Sequence, residues 1–327
     1  ASDILSRLIF AKRIRQVRLD SAPLFILGHW RTGSTYLHEL LSCDDRFIAP
    51  KGYQCGAPLI FLASETTFRP LLKYFMPRRR PMDDMALNLE RAQEDEYAML
   101  GLAGHSLYKA FIFPSAGPVD REYLSLRHLT PELRRTWVEA WVYFLKSVAI
   151  RHGGSRKLLL KSPQHTARVR TILSVFPEAK FVHLTRDPIE IYASTLRTWR
   201  ALSDTQGLQG PGKTEPWLVE SVLSTFEEMY ACYQGDRSLI AQGNLVELRY
   251  EELVADPEGA IGRIYRGLEL GDTSHFALAL RARVAESSEY RVSRYRVSRE
   301  EVAVLAARWT DYIGRYDYGD AIAAALA

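Results

Sequence analysis

Two groups of residues in this chain have the types and spacing of anion-binding chemistry. The first is Gly28-His29-Trp30-Arg31-Thr32-Gly33-Ser34-Thr35. It follows the apolar run Pro23–Leu27 and precedes Tyr36, Leu37, Leu40 and Leu41, which recur at helical spacing. A strand, a Gly-containing turn and a helix start aim backbone N–H groups and the positive helix end at one point, the arrangement of a phosphate cradle. The nucleoside triphosphate signature also requires a lysine after its second glycine. Here Ser34 and Thr35 follow Gly33 directly, and the cation of the loop is Arg31, suited to neutralising charge that grows on a leaving phosphate. The second group is Arg186 and Ser194. Arg186 leaves the end of an apolar run, and eight residues, just over two helical turns, return Ser194 to the same side. A guanidinium and a hydroxyl converging there suit a phosphate monoester.

Strand and helix signals alternate along the chain, which predicts an α/β fold with a mostly parallel sheet flanked by helices. Residues 23–28, 157–163, 179–185 and 244–250 read as short buried strands. Helices are predicted from Thr35, from Pro131 to the Gly153-Gly154 stop, over 166–176, from Pro188, over 216–233, after Pro257 and from Ser298. Asp187, Pro188 and Glu190 form a strong helix start, and Ser298 with Glu301 spells a capping box. Without repeats or low-complexity linkers, residues 1–327 read as one domain with a helical insertion over about residues 50–130.

The composition narrows the function classes. Three cysteines (Cys43, Cys55 and Cys232) with no C-x-x-C pair argue against a disulfide framework or structural zinc and for a reducing, cytoplasmic setting. The formal net charge of +4 fits an anionic ligand but is too weak and dispersed for nucleic acid. No apolar run reaches the roughly 20 residues of a spanning helix, so membrane contact is at most peripheral, through the basic N-terminal segment. Oligomeric state has no signature in the sequence.

With these residues in hand, the chain resembles sulfotransferases that use 3′-phosphoadenosine 5′-phosphosulfate (PAPS), which are built on a three-layer P-loop-like fold. "HWRTGSTY" resembles the family's 5′-phosphosulfate loop, and "KFVHLTRDPIEIYAS" its 3′-phosphate strand and helix. "LLLKSPQH" and "LRYEELVADPEGAIGRIYRGLEL" resemble the large, mainly bacterial branch. The resemblance implies that Thr32, Gly33, Ser34, Thr35 and Tyr36 hold the 5′-phosphate and that Arg31 meets the bridging oxygen and the leaving phosphate. It further implies that Arg186 and Ser194 hold the 3′-phosphate and that Tyr250 stacks on adenine. The Arg-Lys-Gly segment that cytosolic members use near the C-terminus is absent. Arg294, with Arg291 and Arg296, is the local substitute in "YRVSRYRVS".

The general base is open at this level. Animal cytosolic members carry a histidine on the strand matching "LLLKSP"; here His165 lies two residues beyond it and is the first candidate. The acidic run Glu94-Asp95-Glu96 is the second, and Lys161 at the strand end is suited to stabilising transition-state charge. The implied reaction is direct in-line transfer of a sulfuryl group to a hydroxyl, with PAPS as cosubstrate and no metal. The apolar insertion from Gly52 to Pro118 points to a small lipid, polyketide, quinone or phenolic acceptor. A P-loop kinase or NTPase, or a non-catalytic nucleotide-binding module, are the alternative readings.

Overall fold

In the computed structural model, which describes residues 2–19, 22–72, 89–154, 156–209, 217–287 and 297–327, the sheet is built as the apolar runs require. Five strands, β1 (Leu24–Leu27), β2 (Phe47–Ile48), β3 (Lys157–Lys161), β4 (Lys180–Thr185) and β5 (Leu245–Arg249), pair in the order β2-β3-β1-β4-β5. Every pairing is parallel. Parallel strands buried on both faces read as nearly continuous apolar runs, which is why β1, β3 and β4 are visible in the sequence, whereas the edge strand β5 is only partly buried and shows as a weaker apolar run. β2, with two residues, is too short to leave a pattern.

Alternation along the strands feeds two cores. Phe25 and Leu27 of β1, Leu158 and Leu160 of β3, and Phe181 of β4 face a large core with the helices Pro131–Arg151 and Trp217–Asp236. Leu24, Ile26, Leu159, Val182, Leu184 and Leu248 face the opposite side, against the helices Ser34–Leu41 and Pro257–Gly267. The expected helix starts are present. The Asp187 carboxylate accepts from the Ile189 N–H at 2.8 Å, and Ser298 and Glu301 form a reciprocal capping box.

Two boundaries differ from the sequence expectation. The segment expected to be helical from Thr166 is a 3-10 turn, Pro163–Ala167, and the α-helix begins only at Val169. Tertiary partners claim this turn. Thr166 Oγ1 accepts from the Gly28 N–H at 2.7 Å, and the Arg168 side chain is turned inward. Directly after β5, Tyr250 opens a short helix to Ala255 rather than closing the strand. The insertion is helical where it is described, with Gly52–Gly56, Phe61–Leu72, Asp95–Leu102 and Lys109–Ile112. Among the described residues, no helix is long and apolar enough to cross a membrane.

Candidate active site

Register decides which strand ends meet. Ile26 pairs with Lys161, Leu27 with His183, and Thr185 with Arg249. The C-terminal ends of β1, β3, β4 and β5 therefore bring Gly28, Lys161, Arg186 and Tyr250 to one edge, where open α/β sheets bind ligands.

The loop after β1 is shaped by backbone geometry. Gly28 (φ 144°) and Gly33 (φ 89°) occupy conformations that side chains disfavour, and Arg31 (φ 69°) is a non-glycine residue in the left-handed region. A Cβ on Gly33 would lie 2.2 Å from Cδ2 of Tyr250. Thr32 is buried and donates through Oγ1 to the His29 carbonyl at 2.8 Å, which stiffens the loop. Gly33 is the N-cap of the helix Ser34–Leu41 and offers no side-chain cap, so the first-turn N–H groups remain available to an anion. Tyr36 opens toward Ser287 and Tyr250, and burial raises its pKa above the usual phenol value. Gly33→Ala is expected to cost about 1–2 kcal/mol for the backbone conformation alone. The added clash with Tyr250 lowers anion affinity as well, which thermal unfolding and titration with adenosine 3′,5′-bisphosphate (PAP) will read separately.

A second cluster stands beside the cradle. Arg31 Nε donates to Ser194 Oγ at 2.8 Å, and Arg186 Nη1 donates to the Arg31 carbonyl at 2.8 Å. That bond holds Arg31 in its disfavoured conformation. The Arg186 guanidinium lies 4.4 Å over the Tyr250 ring and reaches Glu190 at 3.4 Å. Its backbone is gripped by Tyr312, whose hydroxyl accepts from the Arg186 N–H and donates to its carbonyl. Arg31, Arg186, Ser194 and Tyr250 are thus one group in space. The Arg31 side chain is engaged there, whereas the sequence placed it at the leaving phosphate. Arg291, Arg294 and Arg296 lie outside the described residues.

The cation that faces the loop helix comes from elsewhere. Lys161 at the end of β3 donates to Thr35 Oγ1 at 3.3 Å and to Glu94 Oε1 at 2.5 Å, with its side chain 4% exposed. The other Glu94 oxygen accepts from the Tyr108 hydroxyl, and Trp30 Nε1 donates to that hydroxyl at 3.1 Å. Burial, followed by the Glu94 charge, raises the Tyr108 pKa well above the usual phenol value, so Tyr108 stays a proton donor to Glu94. Trp30 lies within the loop motif but was given no role in the sequence, and Tyr108 lies in the insertion outside any chemical motif.

The histidines are placed differently from the expectation. His165 was the first candidate base, yet its ring is 1% exposed, packed edge-on to Phe25 and against Trp141, with Nε2 3.0 Å from both Asp95 oxygens. A ring so enclosed has no face open to an acceptor hydroxyl. His29 and His38 are also buried and are pushed down to about 3, His29 by burial and His38 by burial and then Lys161, so both are neutral. Glu96 is fully committed as well. It takes two bonds from Arg168, at 2.6 and 3.3 Å, and one from Ser106 at 2.7 Å. Among the three acids only Glu94, with its side chain 13% exposed, stands next to the cradle.

Asp44, Asp45 and His275 bring ligand-type atoms within 4.8 Å of one another, but beyond the far end of the loop helix. Asp44 is already bound there by Arg46, Tyr265 and His275.

A parallel sheet with a glycine-turn anion cradle and a separate arginine cluster at its C-terminal edge defines a P-loop-like group-transfer enzyme. The chain belongs to the sulfotransferase family, whose sequence profile matches residues 23–274. It is 37% identical over 312 residues to the omega-hydroxy-beta-dihydromenaquinone-9 sulfotransferase Stf3 of Mycobacterium bovis and of Mycobacterium tuberculosis, covering 95% of this chain and 79% of the relative. Among solved structures, sulfotransferase STF9 from Mycobacterium avium superposes with a TM-score of 0.74 at 18% identity, over 95% of this chain and 81% of that one. Sulfotransferase STF1 from Mycobacterium tuberculosis gives 0.63 at 18% identity, over 94% and 81%. These two share the fold.

Proposed function

We propose that this sulfotransferase uses PAPS as donor and transfers its sulfuryl group to the hydroxyl of an apolar acceptor such as a polyprenyl quinone alcohol. The observation that supports the donor assignment is that two groups of residues suited to anions lie side by side at the sheet edge. The Gly28–Thr35 cradle fits a 5′-phosphosulfate, and the Arg31–Arg186–Ser194 cluster fits a 3′-phosphate, which ATP-type nucleotides lack. The cradle lacks its own lysine, and Lys161 supplies the charge from β3 to Thr35.

The residues divide the transfer as follows. The acceptor oxygen forms a bond to sulfur while the bond from sulfur to the 5′-phosphate oxygen breaks, giving a sulfate ester and PAP. Glu94, within reach of the cradle through Lys161, takes the hydroxyl proton. Lys161 shifts from its pairing with Glu94 toward the charge developing on the sulfuryl group and the leaving phosphate. The loop N–H groups and the Ser34 and Thr35 hydroxyls hold the 5′-phosphate in line. Tyr108 and Trp30 keep the Glu94 carboxylate aimed.

The apolar acceptor is supported by the curated relative, whose substrate by its name is an omega-hydroxylated menaquinone. The rings of Tyr108, Phe111 and Trp199, with successive centroids 5.3 and 4.4 Å apart, are buried in the large core and brace the insertion beside Glu94.

Calorimetry with PAP, AMP and ATP tests the donor. PAP should bind about 100-fold tighter than AMP, the scale of a well-made charged contact to the extra phosphate. Equal affinities for PAP and AMP, or magnesium-ATP binding tighter than PAP, would refute the assignment. For the acceptor, PAPS is incubated with ω-hydroxy polyprenyl quinones, simple phenols and polysaccharides. Sulfation of polysaccharides alone would discard the apolar reading.

A further inference from the structure

We infer that His165 is a positioning residue: through Asp95 it holds the start of the helix Asp95–Leu102 against β3 and so fixes Glu94 on the cradle. The inference rests on the reading of Glu94 as proton acceptor. Three consecutive acids clasp one segment, each with its own partner. Glu94 takes Lys161; Asp95 takes Ser162, His165 and Trp141; Glu96 takes Arg168.

Glu94 is the N-cap of its helix, yet its side chain makes no cap bond and is free to reach the cradle. The helix start is held instead by the next two residues. Ser162 Oγ donates to Asp95 Oδ1 at 2.7 Å and accepts from the Glu96 N–H at 3.1 Å. Trp141 Nε1 donates to Asp95 Oδ2 at 2.7 Å, and His165 Nε2 faces both oxygens. Asp95, Glu96 and His165 are each 1% exposed. A carboxylate buried so deeply is tolerable only while its partners remain, and removing one leaves it uncompensated. Although burial pushes the Asp95 pKa up, His165, Ser162 and Trp141 outweigh burial and hold it below the ordinary carboxylate range.

Glu94 is one peptide unit from this anchor, about 3.8 Å between Cα atoms. A shift of about 1 Å at Asp95 would stretch the 2.5 Å bond from Lys161 to the limit of a hydrogen bond and re-aim the carboxylate, and misplacements of that size cost about 100-fold in rate. The clasp therefore sets kcat without touching the nucleotide.

The test compares His165→Gln with His165→Leu. A glutamine amide can still donate to Asp95, whereas leucine fills space and donates nothing. His165→Leu should lower kcat about 30–100-fold with PAP affinity within about twofold of wild type. His165→Gln should recover to within about fivefold and keep the pH–rate limb of the wild-type enzyme. If His165→Gln is as impaired as His165→Leu and loses that limb, His165 itself carries the proton and the inference fails. An unchanged kcat in His165→Leu also overturns it, even with a lowered Tm. Should His165→Leu not fold, nearly isosteric Asp95→Asn must show the same kcat loss with PAP binding retained; normal turnover in Asp95→Asn overturns the clasp. Glu94→Gln, run in parallel, separates the two ideas. Full turnover there removes the base reading and the clasp's purpose with it, whereas a Glu94→Gln loss beside an unimpaired His165→Leu removes the clasp alone.

Discussion

Glu94→Gln is expected to reduce kcat by about 10²–10⁴-fold, the usual worth of a positioned general base, while PAP affinity stays level or rises. The two effects have different origins. Glutamine keeps the shape and a hydrogen-bonding carbonyl for Tyr108 but cannot accept a proton at the required strength. It also releases Lys161 from its ion pair, leaving that ammonium wholly available to the anion at Thr35. A fall in PAP affinity parallel to the fall in rate would mean that Glu94 shapes the donor site, and the proton would then need another acceptor. Glu94→Asp withdraws the carboxylate by one methylene and should lie between the two. The measurement is a steady-state rate by mass spectrometry of the sulfated quinone alcohol, paired with calorimetry of PAP.

The second large effect is expected at Arg186. Arg186→Ala should weaken PAP about 10–100-fold, in line with about 1.5–3 kcal/mol for a hydrogen bond to a charged group. Adenosine 5′-phosphosulfate, which has no 3′-phosphate, should lose about threefold or less. The smaller loss reflects the bond from Arg186 to the Arg31 carbonyl, which steadies the loop for either ligand. Arg186→Lys separates charge from shape. A lysine keeps the charge but cannot span the Arg31 carbonyl, Glu190 and a phosphate with one planar fork. Losses of equal size for both nucleotides in Arg186→Ala would show that Arg186 serves the loop and not the 3′-phosphate.

Both predictions concern residues that the sequence singled out, but they were legible for different reasons. Arg186 was readable because its position is local. It follows a buried strand by one residue and precedes a helix whose Asp187 cap and Pro188 first turn fix the direction of Ser194. The cradle was readable in the same way, through an apolar run, two glycines in the required conformations and a helix start. Glu94 was visible only as one of three adjacent acids, with no local property to separate it from Asp95 and Glu96. Its partner Lys161 is 67 residues away, and Lys161 meets Thr35 across 126.

By itself, then, the sequence determined the parallel sheet, the glycine turn that opens the loop helix, the strand-end place of Arg186 with Ser194 on the helix after it, and the absence of a lysine inside the loop. These follow from hydrophobic period, turn chemistry and capping, all of which act within about ten residues, whereas the joining of Arg31 to Arg186 and Ser194 spans more than 150 residues and is tertiary. Tertiary structure alone decided which titratable group stands beside the cradle and which is enclosed. The sequence ranked His165 ahead of Glu94 and its two acidic neighbours, but packing buried the histidine between Phe25, Trp141 and Asp95 and left the glutamate beside Lys161. Burial and ion pairing set the proton chemistry of a side chain, and both depend on strand register and on how an insertion docks, which local spacing does not encode.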